Sequence, residues 1–406
     1  MCEEEGSAML ESWIVAVGLR LEHGLFVVPH RSGKRCLVVD AASGTVTRDR
    51  ELGSEFAVDE PYAACAYGNG FAVAVSPLSG SAIRVAFVDP VDAPTKTVDV
   101  ACSEGTYVAA MLAGPNAGVW LVWFEPIVAP GGASRLDAAV RVGFVHPDRG
   151  VVWSADIGHC IDRWIRESAI AAERDQLALM WDSRSGIGTR RDVVAATIDW
   201  QGGDDFAVVG RTLSQRPSAE IGSVTVGLDQ EPIWAWVETG GGAERASTIV
   251  MSGAGVVEEI PTDRPVVDVV ALNVEGATLV VATVEVGHWT DEAGFPLALC
   301  GLRSWARDQS GRWTTVHADA LPAACTWLEV TLQGRRPAVM WREAQDGEVG
   351  YARWLEGGWG PSIVLGSIDD HGVHTLSTLE LDDALVIAER DSGDTPEVRI
   401  RRIALA

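Results

Sequence analysis

The amino-acid sequence predicts an all-β protein, a β-propeller of about eight four-stranded blades. A short apolar run recurs eight times, at residues 25–28, 71–75, 119–123, 177–181, 232–236, 279–283, 337–341 and 384–388. Successive starts lie 46 to 58 residues apart, room for four short strands and their turns. A second alternating segment precedes each run, at 13–18, 62–67, 107–112, 165–171, 221–226, 267–273, 327–332 and 374–381. Helical periodicity is nearly absent.

The remaining elements follow in order. Gly, Asn and Asp cluster between paired segments, as in Gly68-Asn69-Gly70 and Gly114-Pro115-Asn116, where hairpins need positive φ. Third strands are expected at 35–40, 83–89, 139–146 and 193–200, and fourth strands at 44–50, 151–157 and 313–318. Residues 164–180 carry a helix-like spacing at Ile165, Ala169, Ala172 and Gln176, but the register of the repeat assigns strands there. The last unit ends with a third strand at 398–403 and leaves no residues for a fourth. Ring closure then requires a strand from the N-terminal segment, around 7–11, which would cover an otherwise exposed sheet edge. A seven-bladed ring is the alternative if one unit is a divergent extension.

Residues 1–406 read as a single propeller domain, with 1–12 as a flexible or ring-closing segment. The stretches Pro130-Gly131-Gly132 and Gly240-Gly241-Gly242 fall between second and third strands and read as hairpin loops, not linkers.

Composition excludes several classes. The chain has 57 acidic residues against 32 Lys and Arg, a net charge of −25. Such a surface repels nucleic acid, which is held by neutralising cations. The richest apolar stretch, 266–287, is interrupted by Asp268, Glu275 and Glu285, so no transmembrane helix is expected. Seven cysteines without CxxC spacing argue against a zinc ribbon or a disulfide scaffold, while leaving room for one pair. The opening Met1-Cys2-Glu3-Glu4-Glu5 suits either an ordinary acidic start or the mature start of a bacterial lipoprotein lipidated at Cys2. A cell-envelope or extracellular place is favoured over a cytoplasmic one. A monomer is expected unless a partner assembles with it.

The seventh unit carries Pro337-Ala-Val-Met-Trp341, Gln345-Asp346-Gly347 and Tyr351-Ala-Arg-Trp354 through Trp359. It resembles a blade of sialidase-like or bacterial lectin-type propellers, as does Asp308-Gln-Ser-Gly311-Arg-Trp313. By contrast, Val39-Asp40-Ala-Ala-Ser-Gly44-Thr-Val46 and His146-Pro-Asp-Arg-Gly150-Val-Val-Trp153 resemble the repeat of quinoprotein-type propellers, a superfamily that includes an outer-membrane assembly lipoprotein. The sialidase resemblance implies an arginine triad with a Tyr–Glu nucleophile pair. None of Tyr62, Tyr67, Tyr107 and Tyr351 sits in a segment with that signature.

Trp123, Trp181, Trp236 and Trp341 share one place near the end of the second strand, as expected of packing between blades. Trp289, Trp305, Trp354 and Trp359 fall in or near loops, and Trp354 and Trp359 are the aromatic ligand candidates. The connectors from fourth strand to next first strand cross one face towards the central channel, a usual place for ligands. Their candidates are His159 and Asp162 beside Cys160; His317 and Asp319, with Cys325; and Asp369, Asp370, His371 and His374. Cys102 and Glu104 occupy another connector, and Glu55, Asp59, Glu60, Glu258, Glu259 and Asp263 are assigned to equivalent ones. No connector alone has metal-ligand spacing, and neither a metal nor a cofactor is expected. GxSxG and phosphate-loop motifs are absent. The expectation is a non-enzymatic scaffold binding a protein or glycan. The alternatives are a carbohydrate-active hydrolase with carboxylates at the channel mouth and an envelope-associated assembly lipoprotein.

Overall fold

The computed structural model describes residues 15–405 except 19–22, 31–32, 41–42, 52–61, 69, 76–80, 89–95, 128–136, 161–168, 174, 185–190, 217–218, 227–230, 240–246, 254–255, 275–276, 291–295, 308–310, 317–323, 334–335, 344–346, 356, 368–375, 382–383 and 391–397. Among these residues, helical structure is confined to short turns such as Pro115–Ala117. No helix among them is long and apolar enough to cross a membrane.

The chain is a β-propeller of eight successive antiparallel units. Blade 1 holds β1 (Val15–Gly18), β2 (His23–His30), β3 (Gly33–Asp40) and β4 (Val46–Glu51). Blade 2 holds β5 (Tyr62–Tyr67), β6 (Gly70–Val75), β7 (Ala82–Val88) and β8 (Lys96–Ala101). Blade 3 holds β9 (Tyr107–Ala113), β10 (Val119–Pro126), β11 (Ala138–His146) and β12 (Gly150–Cys160). Blade 4 holds β13 (Ile170–Glu173), β14 (Gln176–Arg184), β15 (Arg191–Gly202) and β16 (Asp205–Ser214). Blade 5 holds β17 (Ala219–Thr225), β18 (Ile233–Thr239), β19 (Ser247–Gly253) and β20 (Val256–Pro261). Blade 6 holds β21 (Val266–Val274), β22 (Ala277–Thr290), β23 (Pro296–Arg307) and β24 (Trp313–Val316). Blade 7 holds β25 (Cys325–Gln333), β26 (Arg336–Glu343) and β27 (Glu348–Leu355), with β28 (Gly358–Trp359) and β29 (Ile363–Ser367) both paired to β27. Blade 8 holds β30 (Leu376–Leu381), β31 (Ala384–Arg390) and β32 (Val398–Ala404).

Within each blade the strands pair in chain order, so each is an antiparallel meander. All eight second strands coincide with the eight apolar runs. The inner strand of blade 4 is shifted from the expected 165–171, because the turn before β14 fixes Ile170 opposite Leu179 and Glu173 opposite Gln176. The closing strand expected at 7–11, like Cys2, lies outside the described residues. Blade 8 nevertheless meets blade 1, with β30 beside β1. The turn into β4 also backs onto β32. Gly44 there has φ +68°, and a Cβ would come 2.9 Å from Arg402 Cβ, so both conformation and space select glycine.

The core lies between blades. In β10, Trp120, Val122 and Phe124 pack towards blade 4, while Val119, Leu121 and Trp123 pack towards blade 2. β18 repeats the pattern, with Trp234 and Trp236 on one side and Ala235 and Val237 on the other. In β26, Val339 and Trp341 face blade 6 while Ala338 and Met340 face blade 8. Each buried side chain of this size contributes about 1.5–3 kcal/mol. Trp123, Trp181, Trp236 and Trp341 are 1–4% exposed, as expected of packing between blades. Trp341 lies directly across from Gly350, and its indole fills the space a Cβ at Gly350 would need.

A buried polar lock joins blades 7 and 8. Tyr351 of β27 donates its hydroxyl to Glu380 Oε2 on β30 at 2.7 Å, and Arg353 Nη1 reaches Glu380 Oε1 at 3.0 Å. Glu380 and Arg353 side chains are 7% and 13% exposed. Burial, then the nearby Glu380 carboxylate, pushes the Tyr351 hydroxyl far above its ordinary value.

Two stability changes follow. Glu380→Ala should cost about 3–5 kcal/mol, because it leaves a largely buried guanidinium without this carboxylate. Gly350→Ala should cost about 1–3 kcal/mol by overpacking against Trp341. Urea unfolding followed by far-ultraviolet circular dichroism measures both.

Candidate functional site

The meander gives the ring two unlike faces. Fourth-to-first connectors and second-to-third hairpins share one end of each blade; first-to-second and third-to-fourth hairpins share the other. His159, at the end of β12, lies on the connector face with an exposed side chain, and its carbonyl accepts Trp181 Nε1–H at 3.1 Å. Asp162, His317, Asp319, Asp369, Asp370, His371 and His374 lie outside the described residues, as do Glu55, Asp59 and Glu60.

Trp354 and Trp359 belong to the opposite face, at the third-to-fourth turn of blade 7. Trp354 lies within β27, not in a loop, and is 7% exposed. Trp359 meets it edge to face at 5.5 Å between ring centroids. Trp359 Nε1–H also donates to Ser304 Oγ of blade 6 at 3.1 Å. The pair therefore packs blade 7 against blade 6. Trp305 is likewise within a strand, β23, and the Trp289 side chain lies outside the described residues.

Glu258 and Glu259 fall within β20 and not in a connector, because the strand continues to Pro261. Glu258 accepts from Arg307 Nη2 at 2.5 Å and from Trp313 Nε1–H at 3.2 Å, which ties blade 5 to blade 6. Asp263 does occupy a connector and is exposed. Cys102 is half-buried beside Thr106, and burial raises its thiol pKa. Cys160 and Cys325 are buried. Among the described residues, no three His, Cys, Asp or Glu side chains gather closely enough to hold a metal ion.

The structure instead assembles a polar cluster on the connector face between blades 4 and 5. The strand β16 ends at Ser214, Arg216 follows in the connector, and Trp236 and Glu238 lie near the end of β18. Residues two apart on a strand share a face, so Glu238 turns back to its own Trp236. Glu238 Oε1 accepts Ser214 Oγ–H at 2.9 Å and Trp236 Nε1–H at 3.1 Å. The Arg216 guanidinium donates to Oε2. Glu238 is 8% exposed, whereas the Arg216 side chain is 68% exposed. A cleft of about 330 Å³ opens here, lined by Leu213, Ser214, Arg216, Trp236, Glu238 and Glu259 among others. That volume is at the small end of ligand sites.

Of the residues expected from sequence, His159 lies on this face and Trp354 and Trp359 on the other; Ser214, Arg216 and Glu238 were not among them. The signal was present in the recurring Trp-x-Glu of Trp123-Phe124-Glu125, Trp236-Val237-Glu238 and Trp341-Arg342-Glu343. In blade 3, Trp123 Nε1–H donates to Glu125 Oε1 at 2.9 Å, and Arg141 lies 3.4 Å from Glu125 Oε2.

A Tyr–Glu pair does occur, as Tyr351 and Glu380, but Tyr351 is 1% exposed. Its hydroxyl is turned into the packing between blades 7 and 8, where a substrate cannot reach it.

No family model matches the chain, and no curated protein matches it. Among solved structures, it is similar to the Dos1 propeller at 9% identity and TM-score 0.51, covering 98% of this chain and 94% of that one. It is also similar to the polysaccharide lyase Uly1 at 10% identity and TM-score 0.49, covering 90% and 93%. The β-propeller domain of the Trilobed protease from Pyrococcus furiosus aligns at 10% identity and TM-score 0.47, covering 88% and 97%. These similarities are of fold alone.

Removing the Glu238 carboxylate tests its structural part. Glu238→Ala should cost about 1–3 kcal/mol by taking this acceptor from the Trp236 N–H and the Ser214 O–H. Glu238→Gln keeps an acceptor and should cost less; denaturant midpoints of the two variants separate these outcomes.

Proposed function

We propose that this propeller is a non-enzymatic binding scaffold that recognises a glycan or protein partner through its connector face, with the cleft between blades 4 and 5 as its anchor. One observation carries the reading. A nearly buried carboxylate is committed to three donors on the cleft wall, while the guanidinium it orients projects into solvent. Fixing Arg216 in this way lowers the entropy lost when its remaining donors engage an oxygen-rich ligand. His159 lies on the same face and belongs to the proposed surface.

Hydrolysis would require one carboxyl group free to give a proton and a second to attack or to activate water. Glu238 and Glu259 both line the cleft, but Glu238 already accepts from Ser214, Trp236 and Arg216. That arrangement supports holding a partner over turning one over.

A glycan array probed with the protein and with Arg216→Ala tests the proposal. Hits that weaken by about tenfold or more in the variant, the worth of one charge-assisted hydrogen bond, support it. Hits that the variant leaves unchanged would move the site off this cleft. Turnover of a chromogenic glycoside panel, abolished by Glu259→Gln, would replace binding with hydrolysis.

A further inference from the structure

Among the described residues, blades 6 and 7 are joined by a strand bridge that the other blades lack. β22 and β23, at 14 and 12 residues, form a hairpin longer than the sheet it belongs to. β24 pairs with β23 over Ser304–Arg307, and further along the same edge Cys300 pairs with the first residue of β25. Among the described residues that pairing is made by Cys300 and Cys325, directly opposite and antiparallel. Residues directly opposite in an antiparallel pair project to the same side, with Cα atoms about 4.5–5.5 Å apart. That spacing lies within the disulfide range of about 4.4–6.8 Å. Both are free thiols in this structure, Cys325 buried and Cys300 partly exposed.

We propose that Cys300 and Cys325 are a disulfide-forming pair, a modification site that staples the long hairpin of blade 6 to the inner strand of blade 7. The oxidant is a small-molecule disulfide such as oxidised glutathione. The Cys300 thiolate, the more accessible of the two, attacks one glutathione sulfur and the first glutathione thiolate leaves. The Cys325 thiolate then attacks Cys300 Sγ, breaking the mixed disulfide and releasing the second glutathione. One S–S bond forms in the protein and one is lost from the oxidant, and the two cysteine protons end on two reduced glutathione molecules.

The surroundings set the pace of that chemistry. Glu285 lies opposite Cys300 and Glu343 opposite Cys325, so carboxylates flank the pair on both sides. His288 Nε2 lies 3.0 Å from Glu285 Oε1. Burial first, then the Glu285 carboxylate, raises the Cys300 thiol above its ordinary value. Burial, Cys300 and Glu343 together push Cys325 up to about 12. Both groups therefore stay protonated near neutrality, and exchange should quicken about tenfold per pH unit between pH 7 and 8 as the thiolate fraction grows.

The test incubates the full chain with oxidised glutathione at pH 8.5, quenches in acid, alkylates free thiols and maps peptides by mass spectrometry. The expected product is one linked peptide pair joining Cys300 to Cys325, two hydrogens lighter than the reduced pair, together with a higher urea midpoint. Reduction should reverse both changes, and neither should occur in Cys300→Ser. Full alkylation of Cys300 and Cys325 after exposure, or glutathione retained on Cys300 without a link to Cys325, overturns the proposal.

Discussion

Each blade of this propeller is a sheet with two faces that must both be covered, and the fold depends on that. Second strands carry the load, since they alternate side chains between two neighbouring blades and leave neither side for water. β6 is buried at all six positions, and β10 at its first six of eight. A strand buried on both faces reads as a continuous apolar run, not as an alternation. The interface on each side then stabilises both blades that make it. Such a stack gains most by closing, because its terminal blades would otherwise each leave a face exposed. β30 beside β1 and Arg402 against Gly44 are where that requirement is met.

The same physics explains what was legible in the chain. The eight second strands stand out because burial on two faces writes itself into consecutive residues such as Phe71-Ala72-Val73-Ala74-Val75. Fourth strands are hard to place, since their outward positions tolerate charge, and Val256-Val257-Glu258-Glu259 reads as strand or connector with equal ease. The structure resolves it through Arg307 and Trp313, residues about fifty positions away that bind Glu258. The inner strand of blade 4 was displaced for a related reason. Ile170-Ala171-Ala172-Glu173 has weak β propensity, and only its pairing with β14 makes it a strand. The candidate site was less legible still. The connector face followed from the topology of a meander, but Ser214, Arg216 and Glu238 come from two blades, and the Trp-x-Glu pattern marks only Glu238.

The buried polar groups between blades 7 and 8 follow one rule, and it bears on catalysis. Tyr351, Arg353 and Glu380 sit where two blades press together, and each satisfies another's hydrogen-bonding capacity. A carboxylate placed there would be costly to bury alone; with a guanidinium and a phenol it is tolerated, and it ties β27 to β30. The same pairing withdraws these groups from chemistry. Tyr351 resembles a nucleophile only in composition, because its oxygen is spent on Glu380 and its proton is held tightly by burial.

At the rim of the connector face such groups are held differently, and the Trp-x-Glu ends of second strands show how. A second strand leaves the core with an indole on its last buried turn of the pleat, and that N–H needs an acceptor. A glutamate two residues on supplies it from the same face. In blade 3 the carboxylate is balanced by Arg141, a neighbour on the adjacent strand. In blade 5 the cation is Arg216, from the connector that arrives from blade 4. The first arrangement stays within one sheet, between its two interior strands. The second spans two blades, so the cation stands over the groove between them and the space beneath becomes a cleft. A packing requirement shared by blades 3 and 5 thus acquires a largely exposed, oriented charge in blade 5, where its partner crosses from the blade before.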